Sequence, residues 1–157
     1  MTVKVYSELY LKLRIIHRDI KLENILLNEN GTIKLCDFGC ATFSQKKNSE
    51  MLMKRSFCGT ISYLSPEMIN GIYDKDVDVW SLGVACYELN AGYSPFNREN
   101  EELTFDAIRN INIDYPNYFS EDLIDFLKGI FKYNVQDRYQ IKDLINHKWL
   151  NRNLENS

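Results

Sequence analysis

No two cysteines in the sequence are spaced as C-x-x-C, and there are only two histidines, so no zinc-ligand pattern is offered. The four cysteines, Cys36, Cys40, Cys58 and Cys86, read as reduced thiols of an intracellular protein. No apolar run is long enough to span a bilayer, and Met1 to Tyr10 lacks the apolar stretch behind Lys4 that a signal peptide needs. Internal repeats and low-complexity segments are absent. Positive charge is not in excess either: 19 Lys and Arg stand against 22 Asp and Glu, for a net charge of −3. Bulk attraction to nucleic acid or to an anionic membrane is therefore not expected, and a cationic substrate is weakly favoured. What remains is one globular domain of 157 residues with a sizeable core, 45% apolar, and a polar tail at 151–157.

Along the chain, Tyr6 to Leu13 reads as a short helix with Leu9 and Leu13 on one face. Ile25-Leu26-Leu27 and Thr32 to Cys36 read as strands, joined by the turn signal Asn28-Glu29-Asn30-Gly31. Thr42 to Arg55 is polar and aperiodic and reads as a mobile loop. Asp76 to Leu89 is apolar on nearly every side, the mark of a helix buried in the middle of its domain, with Gly92 placed to end it. Glu101 to Asn110 reads as a surface helix. Ser120 caps a helix over Glu121 to about Tyr133, with acids first and lysines late, and Ile141 to Leu150 reads as a last amphipathic helix. The expected fold is mainly α with one small β-hairpin.

The chemistry concentrates in His17-Arg18-Asp19-Ile20-Lys21-Leu22-Glu23-Asn24, which fits the catalytic-loop pattern H-R-D-x-K-x-x-N of protein kinases. Five fixed residues would match by chance in a chain of this length less than about once in ten thousand. Asp37-Phe38-Gly39 follows thirteen residues after Asn24. Because Asn24 enters the first strand and Asp37 leaves the second, an antiparallel hairpin returns Asp37 to the edge where Asn24 sits. Two oxygen-bearing side chains then converge, as a hard cation that also holds phosphates requires. Asp19 lies on the same loop within reach of a hydroxyl substrate, and Lys21 can neutralise charge on a transferred phosphoryl group. Taken singly, Asp19 is a solvated loop carboxylate, His17 a packed core histidine, and Lys21 and Asn24 surface and turn residues. Their common register speaks for the catalytic reading.

From Ile15 to Leu150 the chain resembles serine/threonine protein kinases, and within them the Aurora-like basophilic kinases. Ser65-Pro66-Glu67 looks like the A-P-E motif, and Phe57 to Leu64 resembles the segment before it. Asp78 to Gly83 is similar to the family's central helix, Glu88 to Phe96 and Asp137-Arg138 to later landmarks, and His147 to Leu150 to the end of the domain. The resemblance implies the large, carboxy-terminal lobe of the kinase fold over residues 1–150, and ATP and Mg2+ as cofactors. It implies Asp19 as catalytic base, with Lys21 and Thr60 beside it. Asn24 and Asp37 are implied as metal ligands, and Lys21, Glu23, Asn24, Leu26 and Asp37 as the nucleotide side of the site. Ser56 falls at the activation-loop phosphorylation position, with Arg18 receiving the phosphate. Glu23 and Glu88 match carboxylates that read arginine near the phosphoacceptor, and Phe57, Ile61 and Leu64 an apolar pocket for the residue after it. His17, Phe38, Glu67, Asp78 and Arg138 are implied as structural, with Glu67 and Arg138 as an ion pair.

The kinase template also contains a glycine-rich loop, a strand lysine and its partner glutamate. No G-x-G-x-x-G occurs in this sequence, Val3-Lys4 stands in no V-A-I-K context, and 16 residues precede His17. The small lobe is therefore expected to be absent from these residues. Three readings compete: a serine/threonine kinase of which this is a truncated catalytic domain, inactive alone; a non-catalytic kinase-like binding or regulatory fragment; and an unrelated helical binding module, which the motif density disfavours. Expected partners are protein substrates with Ser or Thr, in Arg-rich sites, and a regulatory protein. Nucleic acid and membrane are not expected partners. The expected location is inside the cell, cytoplasm or nucleus.

Overall fold

The computed structural model describes residues 13–44, 60–71 and 73–151. The expected helix at Tyr6 to Leu13 lies, but for Leu13, outside them, as do Ser56, Phe57 and Cys58. Four short strands come first: β1 (Ile15–Ile16), β2 (Ile25–Leu27), β3 (Ile33–Leu35) and β4 (Thr42–Phe43). Among the described residues six α-helices follow: α1 (Pro66–Ile69), α2 (Asp76–Ala91), α3 (Glu101–Arg109), α4 (Glu121–Ile130), α5 (Ile141–Ile145) and α6 (Lys148–Asn151).

The strands form two separate antiparallel pairs. In the hairpin, Ile25 faces Leu35, Leu26 faces Lys34 and Leu27 faces Ile33. Its turn is closed by Asn28, whose side-chain Oδ1 accepts from the amides of Asn30 at 3.1 Å and Thr32 at 2.8 Å. Gly31 alone in this turn takes a positive φ, of 75°. The second pair, β1 with β4, was not expected: Thr42–Phe43 falls in the stretch that reads as a loop. Two residues pairing with a strand about 27 positions away leave no periodic trace in the sequence.

Helix α2 is the axis of the domain. It has no polar face: Val77, Val79, Trp80, Leu82, Val84, Ala85 and Tyr87 are all buried around its circumference. It runs two residues beyond the expected end and stops at Gly92, whose φ of 85° lets its amide turn back to the Glu88 carbonyl at 2.8 Å. Trp80 stacks on Phe96 with ring centroids 5.2 Å apart, and Phe131 meets both edge-on. A smaller cluster of Ile16, Leu64, Met68, Tyr73 and Val77 joins the first sheet to the start of α2.

Two expected helices are shorter than their apolar pattern. Helix α4 is capped by the Ser120 side chain, as read, but ends at Ile130. There the Gly129 carbonyl accepts from the Tyr139 amide at 2.9 Å and the Lys132 carbonyl from Arg138, so tertiary bonds take over from helical ones. The span from Ile141 to Leu150 is broken at Asn146–His147 into α5 and α6, where the His147 ring accepts from the Trp149 amide. Of the cysteines, Cys36 and Cys86 are free thiols. Burial pushes the Cys86 thiol up to about 12.

Gly129 tests the packing of α4 on the Arg138–Tyr139 turn. A Cβ there would lie 2.0 to 2.5 Å from three ring atoms of Tyr139. Helix propensity alone favours Gly129→Ala by about 1 kcal/mol, whereas overpacking costs about 1–3 kcal/mol or more. The clash wins, and Gly129→Ala is expected to lower the urea midpoint. A higher midpoint would show that Tyr139 does not seat against the helix.

Candidate active site

Four short elements meet where the catalytic-loop motif lies. The peptide amides of His17 and Arg18 both donate to the carboxylate of Asp78, at 2.6 and 2.7 Å. Asp78 is fully buried on α2, and these charge-assisted bonds offset the desolvation of its charge. They hold Arg18 at a φ of 67°, a left-handed conformation unusual for a side chain of this size. Asp37 is also left-handed, with φ 59°, and accepts from the Gly39 amide at 3.2 Å. Backbone strain of this kind is maintained where surrounding bonds over-determine it, commonly at functional sites.

The turn at Arg18 places Asp19 inward. Its Oδ2 accepts from Asn24 Nδ2 at 3.1 Å and faces Lys21 Nζ at 3.4 Å, while the Asn24 amide also reaches the Asp19 backbone carbonyl at 2.8 Å. Lys21 Nζ in turn donates to Thr60 Oγ1 at 3.1 Å. Asp19 Oδ1 is buried and has no hydrogen-bond partner among the described residues. A carboxylate with one oxygen tied down and the other vacant is poised to accept from an incoming hydroxyl.

The hairpin closes opposite. The Cys36 amide donates to the Asn24 carbonyl at 3.0 Å, so the chain passes Asn24 and turns immediately into Asp37. His17, 1% exposed, bonds through Nε2 to the Cys36 carbonyl at 3.0 Å, and its ring lies 4.7 Å from that of Phe38. With its amide nitrogen engaged by Asp19, Asn24 has its Oδ1 left to face a cation. Among the described residues no group of three or more His, Cys, Asp or Glu gathers to hold a metal by itself. The Asn24 and Asp37 side chains are the oxygen groups of this chain that could hold a magnesium ion whose shell phosphates and water complete. Leu26 is half exposed on the hairpin.

The remaining candidates divide. Glu67 and Arg138 meet: the guanidinium grips both carboxylate oxygens, at 2.6 and 2.9 Å, and also donates to the carbonyls of Asp76 and Lys132. Arg138 stacks over Trp80 at 5.0 Å. Glu88, half-buried, accepts from the Tyr63 hydroxyl, and Glu23 is exposed. Leu64 is buried in the smaller cluster, whereas Ile61 is half-buried on the adjoining turn. Arg18, assigned to an activation-loop phosphate, bonds through Nε to the Cys40 carbonyl and through Nη1 to the Tyr73 hydroxyl at 3.2 Å. Tyr63 and Tyr73 carry no role in the sequence reading. Tyr63 stood within a quoted motif, but nothing in its spacing marks its partner 25 residues on.

The family model for the protein kinase domain matches residues 2–150, so the chain belongs to the protein kinase family. It is 39% identical to Aurora kinase A-A of Xenopus laevis over 141 residues, 89% of this chain and 33% of that protein. It is 41% identical to the Aurora kinase of Saccharomyces cerevisiae over 143 residues, 90% of this chain and 38% of the relative. To Aurora kinase B of Drosophila melanogaster it is 37% identical, over 87% of this chain and 40% of the relative. The chain thus spans one third to two fifths of the length of these relatives.

The Glu67–Arg138 pair gives a stability test. Arg138 is wholly buried, so Glu67→Ala leaves a charge with only carbonyl and ring partners. The expected loss is about 3–5 kcal/mol, or roughly 10 °C in Tm for a domain of this size. A variant melting at the wild-type temperature would mean the pair contributes nothing.

Proposed function

We propose that this chain forms the metal-binding and hydroxyl-binding side of a serine/threonine protein kinase site, acting with ATP and Mg2+ on protein substrates. The observation that carries it is the vacant, buried Oδ1 of Asp19, set beside Lys21 and the Asn24–Asp37 edge. Asp19 accepts from the Ser or Thr hydroxyl and orients its oxygen toward the phosphorus, while Lys21, held by Thr60, faces the developing phosphoryl charge. Magnesium, when bound, neutralises charge on the phosphates. Asn24 and Asp37 are the residues that would hold it, and Leu26 offers the apolar surface for the purine, with Glu23 at the rim. Glu23 and Glu88 read an arginine near the phosphoacceptor by charge-assisted bonds, and Ile61 with Phe57 receives the residue that follows it; Leu64, expected in that pocket, is instead buried in the smaller cluster. Ser56 is the activation-loop phosphorylation site, with Arg18 as its receiver. An intracellular setting fits this substrate class. Among the described residues no helix is long and apolar enough to cross a membrane.

Residues 1–157 by themselves are proposed to be a poor kinase. Phosphoryl transfer rests on positioning and on charge stabilisation in a site closed to water. The motifs present serve one side of the nucleotide, and Leu26, Leu27, Phe38 and Phe43 around them are 52%, 69%, 41% and 68% exposed. These exposed apolar side chains, spread over the two strand pairs and the turn at Phe38, support the second reading, a chain that works by docking on a further protein segment. With purified residues 1–157, magnesium, ATP and a basic peptide, ATP affinity weaker than about millimolar and turnover lower by several orders of magnitude are expected. Robust phosphorylation that disappears in Asp19→Asn would overturn the claim of weak activity and uphold the catalytic assignment.

A further inference from the structure

The sequence contains two Asn-Gly dipeptides, Asn30-Gly31 and Asn70-Gly71. Such a pair is chemically labile, because glycine puts no side chain between the asparagine carboxamide and the next peptide nitrogen. That nitrogen can attack the carboxamide carbon, forming a new C–N bond and expelling ammonia to leave a cyclic imide. Water then opens the imide at either carbonyl, giving aspartate or its β-linked isomer, isoaspartate. The sum takes up one water and releases one ammonia, with no other co-reactant. Ring closure needs an accessible carboxamide, a glycine amide released from its own hydrogen bond, and backbone free to turn.

The fold treats the two pairs differently. Asn70 ends α1, with its amide bonded to the Pro66 carbonyl and the Gly71 amide to the Met68 carbonyl, each at 3.1 Å. Pro66 and Met68 are buried, and Glu67 between them ties α1 to α2 through Arg138. The Asn70 carboxamide itself donates to the Tyr133 hydroxyl at 3.5 Å. Freeing the Gly71 amide therefore means lifting α1 from the core. Asn30 stands at the tip of the β2–β3 hairpin, where Asn28, Glu29, Asn30 and Thr32 are all exposed. The Gly31 amide donates to the Asn28 carbonyl and the Asn28 amide to the Thr32 carbonyl, each at 3.0 Å. The strands on either side are three residues long. An exposed tip on so short a ladder opens without disturbing the core. What opposes opening is the Asn28 side chain, whose Oδ1 receives the amides of Asn30 and Thr32.

We propose that Asn30 is a site of spontaneous deamidation in the folded chain, and that Asn28 Oδ1 sets the rate by holding the turn closed. Asn70 is protected by the packing of α1. Conversion to aspartate puts a further negative charge beside Glu29. Conversion to isoaspartate adds a methylene to the main chain inside the turn, which the closure between Asn28 and Thr32 cannot absorb with its bonds intact. The hairpin is the covalent link from Asn24 to Asp37, so the isomer loosens the connection between the two candidate magnesium ligands.

The test incubates the full 157-residue chain at neutral pH and follows conversion at Asn30 and Asn70 by peptide mapping, beside a urea-unfolded sample. In the folded wild type Asn30 is expected to convert at least about tenfold faster than Asn70, whereas in urea the two rates come together. Asn28→Ala removes both side-chain bonds and is expected to speed conversion at Asn30 about five- to tenfold while leaving Asn70 unchanged. Asn28→Asp keeps an acceptor oxygen in place and should retain the slow rate. If Asn28→Ala raises the Asn70 rate as well, it has unfolded the domain, and the Asn28→Asp rate decides. Equal folded-state rates at the two sites, or a faster Asn70, would overturn the assignment of Asn30. An Asn30 rate within about twofold of wild type in a folded Asn28→Ala, or one equal to the urea sample in Asn28→Asp, would overturn the role of Asn28.

Discussion

The site depends on one buried carboxylate. Asp78 sits on a helix apolar all round, where an ionised group is costly unless its oxygens are occupied. The amides of His17 and Arg18 occupy them, one to each oxygen. Two adjacent amides can point at one carboxylate only if the chain turns sharply, and Arg18 takes the left-handed conformation that turn requires. The next residue is Asp19. The free energy that compels Asp78 to find donors thereby sets the direction of the Asp19 carboxylate.

Other contacts repeat this dependence on α2. Ser81 holds the Tyr63 carbonyl, Glu88 its hydroxyl, and the Asp76 carbonyl receives Arg138, which grips Glu67. Loops, left to themselves, carry unsatisfied polar groups and are mobile. Here the catalytic loop and the turn around Thr60–Tyr63 each place a polar group on the same helix, and the start of α1 is tied to it through Arg138. Rigidity is borrowed from the most buried element and delivered to segments with little core of their own.

Local pattern made much of the fold legible. The span of α2, the β2–β3 hairpin and the Ser120 cap are written in composition and periodicity over short windows. The β1–β4 pair and the early end of α4 are not, because each is decided by a partner beyond any short window: Ile15 for Phe43 and Tyr139 for Gly129; the break at Asn146–His147 turns instead on a local bond from the Trp149 amide to the His147 ring, which apolar periodicity does not register. The candidate site divides the same way. Asp19, Lys21 and Asn24 stand within six residues, so their meeting follows from a single loop. The Asp78 anchor and the Glu67–Arg138 grip could be named only by resemblance, and the Tyr63–Glu88 bond not at all, since no spacing rule links a turn residue to a helix end.

Strain and chemistry are also connected. Arg18 and Asp37 are two of four non-glycine residues with positive φ among the described residues, and each adjoins or is a residue of the candidate site. Left-handed backbone at such positions costs of order 1–3 kcal/mol apiece. The fold tolerates it because each strained residue is over-bonded: Arg18 through Asp78, Cys40 and Tyr73, Asp37 through Gly39. A phosphoryl-transfer site has little covalent work to do and gains chiefly from charges held in place before the reactants arrive. Backbone that cannot relax is the means of holding them. An unstrained loop at Arg18 would cost the fold less and would leave Asp19 free to turn its vacant oxygen toward water.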